Sequence, residues 1–188
     1  MTSRFLYLAR HGEAIDEGEL SPAGRRQAEL LAERLAGAGI TSIAHGPLPR
    51  AAATAAIVAA RLPGVPVRVA AVADDYVPFL PDPAPPALAG AVADEARAAA
   101  ALERFARPSD VEVHELVITH SFQVAWFVRD ALGAPPQRWV DIRAANAALT
   151  VIRYPADRAP AVLVLNDMSH LPPELRWTGF PDALRMLV

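Results

Sequence analysis

Two short apolar runs in this chain end the same way, in a histidine. Phe5-Leu6-Tyr7-Leu8-Ala9 leads into Arg10-His11-Gly12-Glu13, and Val117-Ile118-Thr119 leads into His120-Ser121. Apolar runs of four to eight residues bounded by turn signals read as buried strands. Strands that finish in a titratable polar side chain constrain the fold further. Parallel strands of one open α/β sheet bring their C-terminal ends to a common edge, and that edge is where such sheets bind ligands. Gly12 adds a place where the backbone can turn tightly and approach a ligand closely.

The intervening sequence supplies the helices that a parallel sheet needs. After a polar, turn-like stretch from Glu13 to Leu20, Ser21-Pro22 reads as an N-cap with proline at the first helical position. The apolar spacing of Leu30, Leu31 and Leu35 predicts a helix that Gly37 and Gly39 end. Ile40 to Ala44 is a second strand, His45-Gly46-Pro47 a turn, and Leu48 to Leu62 a helix with Arg50 in its first turn. Val67 to Val72 is a third strand. Asp74 to Pro86 holds five prolines and reads as a loop of unusual length. Leu88 to Phe105 reads as a helix, Glu115 to Thr119 as a strand and Gln123 to Leu132 as a helix. Pro135 to Ile142 is a short helix or turn, and Ala147 to Tyr154 and Ala161 to Leu165 are the last strands. This alternation predicts an α/β three-layer sandwich, a central, mostly parallel sheet flanked by helices, in a single domain over residues 1–188.

Composition narrows the function classes. A formal net charge of −3 gives no electrostatic footprint for nucleic acid. The absence of cysteine removes disulfide and thiolate chemistry and fits a cytoplasmic protein. The apolar run before Arg10 is too short for a signal-peptide core, and no stretch approaches a membrane span. The five histidines show no paired metal-ligand spacing, so no metal and no cofactor is expected. Trp126, Trp139 and Trp177 read as core or interface residues.

The chemistry gathers around four side chains. Arg50 follows the second strand at a helix N-terminus, which already favours anions. Brought together with Arg10, His11 and His120, it makes a pocket too cationic for a core unless an anion occupies it. Imidazole beside guanidinium in a crevice suits a phosphoryl group.

At this point the chain resembles the histidine phosphatase superfamily, with its phosphoglycerate-mutase-like fold, in the smaller branch. The matching residues are Arg10-His11-Gly12-Glu13, Leu20-Ser21-Pro22-Ala23-Gly24-Arg25-Arg26-Gln27-Ala28, Pro47-Leu48-Pro49-Arg50-Ala51 with Thr54-Ala55, Thr119-His120-Ser121 and Asn146-Ala147-Ala148-Leu149-Thr150. The resemblance implies that His11 is the nucleophile that becomes phosphohistidine. It implies that Arg10 and Arg50 clamp the phosphoryl oxygens and that His120 donates to them. Gly12, Glu13 and Ser121 are expected beside the substrate. Phosphoryl transfer needs just this positioning and charge stabilisation, and arginine provides planar, multidentate, permanently charged donors. The nucleophilic ring must be neutral, and its other nitrogen needs an acceptor that the sequence does not name.

Three departures stand out. His45-Gly46 replaces the Ser-Ser that often precedes Pro-Leu, and His45 reads as a partly exposed turn residue. Ala14-Ile15-Asp16 lacks the Asn or Thr that touches phosphate in many members. Asp74-Asp75 stands where the family has a proton-donating Glu. Spacing from Val72 favours Asp74, and Asp75, beside Tyr76 and the proline loop, contends equally. His114 reads as exposed, and His170 as a loop-packing residue. The expected activity is metal-independent phosphomonoester hydrolysis, on a phosphorylated small molecule or phosphopeptide. The partners include no nucleic acid and no membrane, and room is left for a homodimer. The alternatives are a phosphoglycerate mutase, a phosphoprotein phosphatase and a non-catalytic binding module of the same fold. Substrate contacts beyond the phosphate are expected from the loop Tyr76 to Pro86. The tail after Pro172, with Arg176 and Arg185, is a second cover.

Overall fold

The computed structural model describes residues 2–15, 18–178 and 180. Asp16, Arg185 and most of the tail past Thr178, all named above, lie outside them. The order of elements is β1 (Ser3–Arg10), β2 (Ala14–Ile15), β3 (Glu19–Leu20), α1 (Pro22–Leu35), β4 (Ser42–His45), α2 (Pro49–Ala60), β5 (Val67–Val69), α3 (Glu95–Phe105), β6 (Val113–Thr119), α4 (Ser121–Ala131), β7 (Leu149–Pro155) and β8 (Ala161–Asp167). Six strands form one sheet in the order β5-β4-β6-β1-β7-β8. The first four run parallel, and β7 and β8 join antiparallel. This is the expected three-layer, mostly parallel sandwich.

Period-two alternation decides which helices cover which face. On β1, Leu6 and Leu8 point to one side with Val117, and there they meet Phe105 of α3 and Val124, Phe127 and Val128 of α4. Ala9 points to the other side with Leu116 and Ile118, against Leu31 and Leu35 of α1 and Ala51, Ala55 and Val58 of α2. The α1 start is as read: the Ser21 hydroxyl accepts the Gly24 N–H at 2.9 Å, with proline in the first turn.

Four local expectations change. The third strand stops at Val69, where its partner β4 ends at His45, and the chain then makes a single 3-10 turn over Ala71–Ala73. The helix expected from Leu88 begins only at Glu95, capped by Asp94, whose side chain accepts the Arg97 N–H. Gly90 at φ +78° and the Val77–Ala93 bridge hold the preceding residues out of helix despite their alanine content. The polar stretch after Glu13 forms the small β2–β3 hairpin. His45 is the last residue of β4, buried at 9% exposure, and not an exposed turn residue; its Nδ1 lies 2.7 Å from the Gly46 carbonyl.

The register fixes the site. Arg10 of β1 pairs with Thr119 of β6, so His11 and His120 leave the sheet side by side. The His11 N–H donates to the Thr119 carbonyl at 3.0 Å. His45 of β4 pairs with Ile118, which puts the start of α2 and Arg50 on the same edge.

Candidate active site

His11 is 6% exposed, and both ring nitrogens are engaged. Nδ1 lies 2.7 Å from the Gly12 carbonyl, an acceptor, so Nδ1 carries the proton. Nε2 is then the lone-pair nitrogen, and it accepts from Arg50 Nε at 3.1 Å. The acceptor the sequence did not name is therefore the backbone of the next residue. Burial, then the Arg10 charge, and also His120 and Arg50, press the His11 pKa down from 6.5 to about 3 against the pull of the Gly12 carbonyl. At neutral pH the ring is uncharged, as a nucleophile requires.

Around Nε2 stand the other three members of the predicted cluster. Arg50 reaches from α2 with Nε on His11 and one terminal nitrogen on Asp75 Oδ2 at 2.8 Å. His120 places Nδ1 3.5 Å from that guanidinium and 3.6 Å from Asp75, and its ring centroid is 5.0 Å from that of His11. His120 is 1% exposed, and burial together with Arg50 and Arg10 lowers its pKa to about 3. Arg10 donates to the Ala144 carbonyl at 3.1 Å, while its buried Nε has no hydrogen-bond partner among the described residues. Burial, outweighing the attraction of Asp75, brings Arg10 down to about 10, so it stays charged at neutral pH. A cleft of about 310 Å³ opens over this group, lined by Arg10, His11, Glu13, Arg50, Asp75 and Asn146 among others.

The structure separates the two aspartates. Asp75 faces Arg50 and His120. Asp74 turns away: one carboxylate oxygen accepts the Asp75 N–H, and the other meets Arg97 at 3.4 Å. The Thr119 hydroxyl, on the sheet edge, donates to the Ala73 carbonyl at 2.8 Å and so anchors the turn that delivers Asp75. Asp74, favoured by spacing, is not in the cleft. The shortened β5 and the 3-10 turn are what shift the choice by one residue.

A second layer holds the His11 backbone. Gly12 donates to the Thr54 hydroxyl, which itself donates to the Arg50 carbonyl at 2.8 Å, tying the His11 and Arg50 segments together. Asn146 donates to the His11 carbonyl at 2.9 Å. Gln27 is fully buried; its Oε1 accepts the Glu13 N–H, and its Nε2 donates to Leu175 O and to the Thr178 hydroxyl, all at 2.8 Å. Thr178 passes the chain to Asn146 Oδ1 at 3.3 Å. Spacing assigned no role to these four polar residues. Their only sequence signal was membership of the matching motifs for Gln27, Thr54 and Asn146, and Thr178 had none. Gly12 and Gly24 pack backbone to backbone: a Cβ on Gly12 would collide with the Gly24 carbonyl.

The remaining candidates fall into supporting places. Glu13 accepts the Ser21 hydroxyl at 2.6 Å and shapes the loop at the cleft wall. Ser121 is the first residue of α4, directly after His120. His114 is half-buried and not exposed, stacked 4.6 Å from Phe5 and bonded to the Tyr7 hydroxyl. His170 sits 3.1 Å from the Ala147 carbonyl, and Ala147 in turn donates to Arg10 O, so His170 braces the site from behind. All three tryptophans are buried. The proline loop is tied down by Gln123 to Tyr76 O and Trp139 to Phe79 O. The tail reaches the cleft edge, with the Phe180 ring 5.5 Å from the Arg10 guanidinium. Among the described residues, no group of three or more His, Asp or Glu is placed to hold a metal, and no helix is long and apolar enough to cross a membrane.

This geometry has counterparts. The family model for the histidine phosphatase superfamily (branch 1) matches residues 6–76 and 70–168. The rat protein named serine/threonine-protein phosphatase PGAM5, mitochondrial, is 30% identical over 189 residues, covering 92% of this chain and 65% of the relative. The chain thus spans about 65% of the length of the curated relatives it matches. In structure it resembles a phosphoglycerate mutase from Plasmodium falciparum, at TM-score 0.66 and 21% identity over 92% of this chain and 96% of that one. It also resembles a phosphoserine phosphatase from Entamoeba histolytica, at TM-score 0.65 and 18% identity over 90% of this chain and 100% of that one. Likenesses at that identity establish the fold, and the family match covers most of the chain: this protein belongs to the histidine phosphatase superfamily, branch 1.

Proposed function

We propose that the chain hydrolyses phosphate monoesters through a phosphohistidine on His11. The observation that carries the reading is the state of that ring. It is neutral, with its proton fixed on Nδ1 by the Gly12 carbonyl and its free nitrogen aimed into a group of two arginines, a histidine and a carboxylate. The phosphoryl oxygens replace Asp75 as the partners of Arg50 and give the buried Arg10 Nε an acceptor. The Nε2 lone pair attacks phosphorus in line, and the ester P–O bond breaks with its electron pair on the leaving oxygen. That oxygen takes a proton from the Asp75 carboxyl group. The Asp75 carboxylate then takes a proton from water as the water oxygen attacks phosphorus. The N–P bond breaks, its pair returns to Nε2, and inorganic phosphate leaves.

A phosphoprotein substrate is the reading the relatives favour, since their names say serine/threonine-protein phosphatase. Those names also say mitochondrial, so they lend no support to the cytoplasmic placement expected from composition. A mutase uses the same pocket but must exclude water while the intermediate lasts. The tethered, proline-stiffened loop beside the cleft suits a fixed wall better than a closing lid. The test is a rapid quench with labelled substrate. Acid-labile, base-stable label on the wild type, and turnover lowered by about 10⁴ in His11→Ala, are expected. Label on serine or aspartate would refute the mechanism. Rapid interconversion of phosphoglycerates without phosphate release would refute hydrolysis.

A further inference from the structure

Beyond the catalytic cleft, the surface holds two depressions that adjoin each other. The nearer, of about 250 Å³, is walled by Leu88, Phe122, Trp139 and Ile142, with Ser121 and Arg143 at its edge. Two chain-adjacent links join it to the cleft: Ser121 follows His120, and Arg143 precedes Ala144, whose carbonyl holds Arg10. Its walls are fixed. Phe122 and Trp139 pack edge to face at 4.9 Å, and the indole N–H is satisfied by the Phe79 carbonyl at 2.9 Å, so the pocket is apolar without an orphaned donor. The outer depression, of about 690 Å³, shares Pro85, Val140 and Asp141 with the inner one and runs along Phe79, Pro81 and Pro83.

We propose that these adjoining depressions form a peptide-reading groove, in which a phosphopeptide places a bulky apolar side chain, next to its phosphorylated residue, in the Phe122–Trp139 pocket. The inference rests on the hydrolase reading with a phosphoprotein substrate and adds the side chain that the site selects beside the phosphate. Three observations select a peptide over a compact metabolite. The cleft and the inner pocket adjoin through Ser121 beside His120, and the inner and outer depressions through shared Pro85, Val140 and Asp141, an extent that a peptide covers more fully than a small monoester. The inner pocket has the volume of one large side chain. The outer wall is rich in proline, which lacks N–H groups, so recognition there is by apolar contact and not by strand addition. Of the two charged residues that line the inner pocket, Asp141 is paired with Arg138 at 3.3 Å and Arg143 has no partner among the described residues, which disfavours a basic residue beside the phosphate.

The experiment is steady-state turnover of phosphoserine peptides with Phe, Ala or Lys on either side of the phosphorylated residue, with p-nitrophenyl phosphate and 3-phenylpropyl phosphate as controls. The wild type should cleave the Phe peptide at least about tenfold better in kcat/KM than the Ala peptide, the scale a hydrophobic pocket supplies, and the Lys peptide worst. Ala87→Phe, at an exposed position lining the inner pocket, should abolish the preference and leave p-nitrophenyl phosphate turnover unchanged. Absence of a flanking preference in the wild type, or its survival in Ala87→Phe, would overturn the groove. So would 3-phenylpropyl phosphate matching the best peptide, which would make the occupant a small monoester. Turnover of p-nitrophenyl phosphate without flanking preference removes this inference alone; no turnover of any monoester removes the hydrolase reading with it.

Discussion

Acidification should unfold this protein through its own active site. His11 and His120 are buried at 6% and 1% exposure, and both are held neutral, with pKa values near 3 against 6.5 for a free ring. In the unfolded chain both rings take up protons as pH falls through 6.5, while in the folded chain they do not. The unfolded state therefore binds more protons, and stability falls with pH. Between about pH 7.5 and about pH 5 each ring costs about 2 kcal/mol, or about 4 kcal/mol for the pair. His170, also lowered by burial, adds to the loss with the same sign. Carboxylates contribute little in this interval, because they titrate near pH 4 in the unfolded chain. The assay is urea unfolding at a series of pH values in a buffer without phosphate, since an anion bound to the cleft would itself stabilise the fold. The His11→Gln/His120→Gln variant, whose absolute stability is not at issue, should lose about 4 kcal/mol less than wild type across the interval. Equal losses in the two proteins, or a wild-type loss below about 1 kcal/mol, would show that these rings are not held neutral.

Asp75→Asn should slow an alkyl phosphate by about 10²-fold or more and p-nitrophenyl phosphate far less, while Asp74→Asn, which keeps the acceptor for the Asp75 N–H, should have small effects on both. Equal effects of the two variants on the two substrates would leave the site without a carboxylate donor. Arg50→Lys should lower kcat/KM by roughly 10²-fold, because one ammonium cannot replace a fork that engages His11 and Asp75 together; near-normal kinetics would put Arg50 outside the reaction. Thr178→Val should cost about 1 kcal/mol in thermal or urea unfolding and lower kcat more than it changes KM, since Asn146 loses a donor while holding the His11 carbonyl. Unchanged kcat would confine Thr178 to a packing role.

What the sequence by itself determined is whatever depends on local pattern. The apolar run before Arg10, the Ser21-Pro22 start of α1 and the repeated strand-then-histidine arrangement each report chain geometry over a few residues, and together they specified the sheet, its layers and four members of the site. What only the tertiary structure decided depends on contacts between distant segments. Whether Asp74 or Asp75 enters the cleft turned on the end of β4 at His45, which leaves β5 without a partner past Val69, and on the Thr119 hydroxyl 46 residues away, which anchors Ala73. The start of α3 turned on Val77 pairing with Ala93 against a strong alanine preference for helix. The brace on His11 runs Gln27–Thr178–Asn146 across 151 residues of chain. No periodicity encodes that brace, because hydrogen bonds between buried side chains are set by where packing brings their carriers.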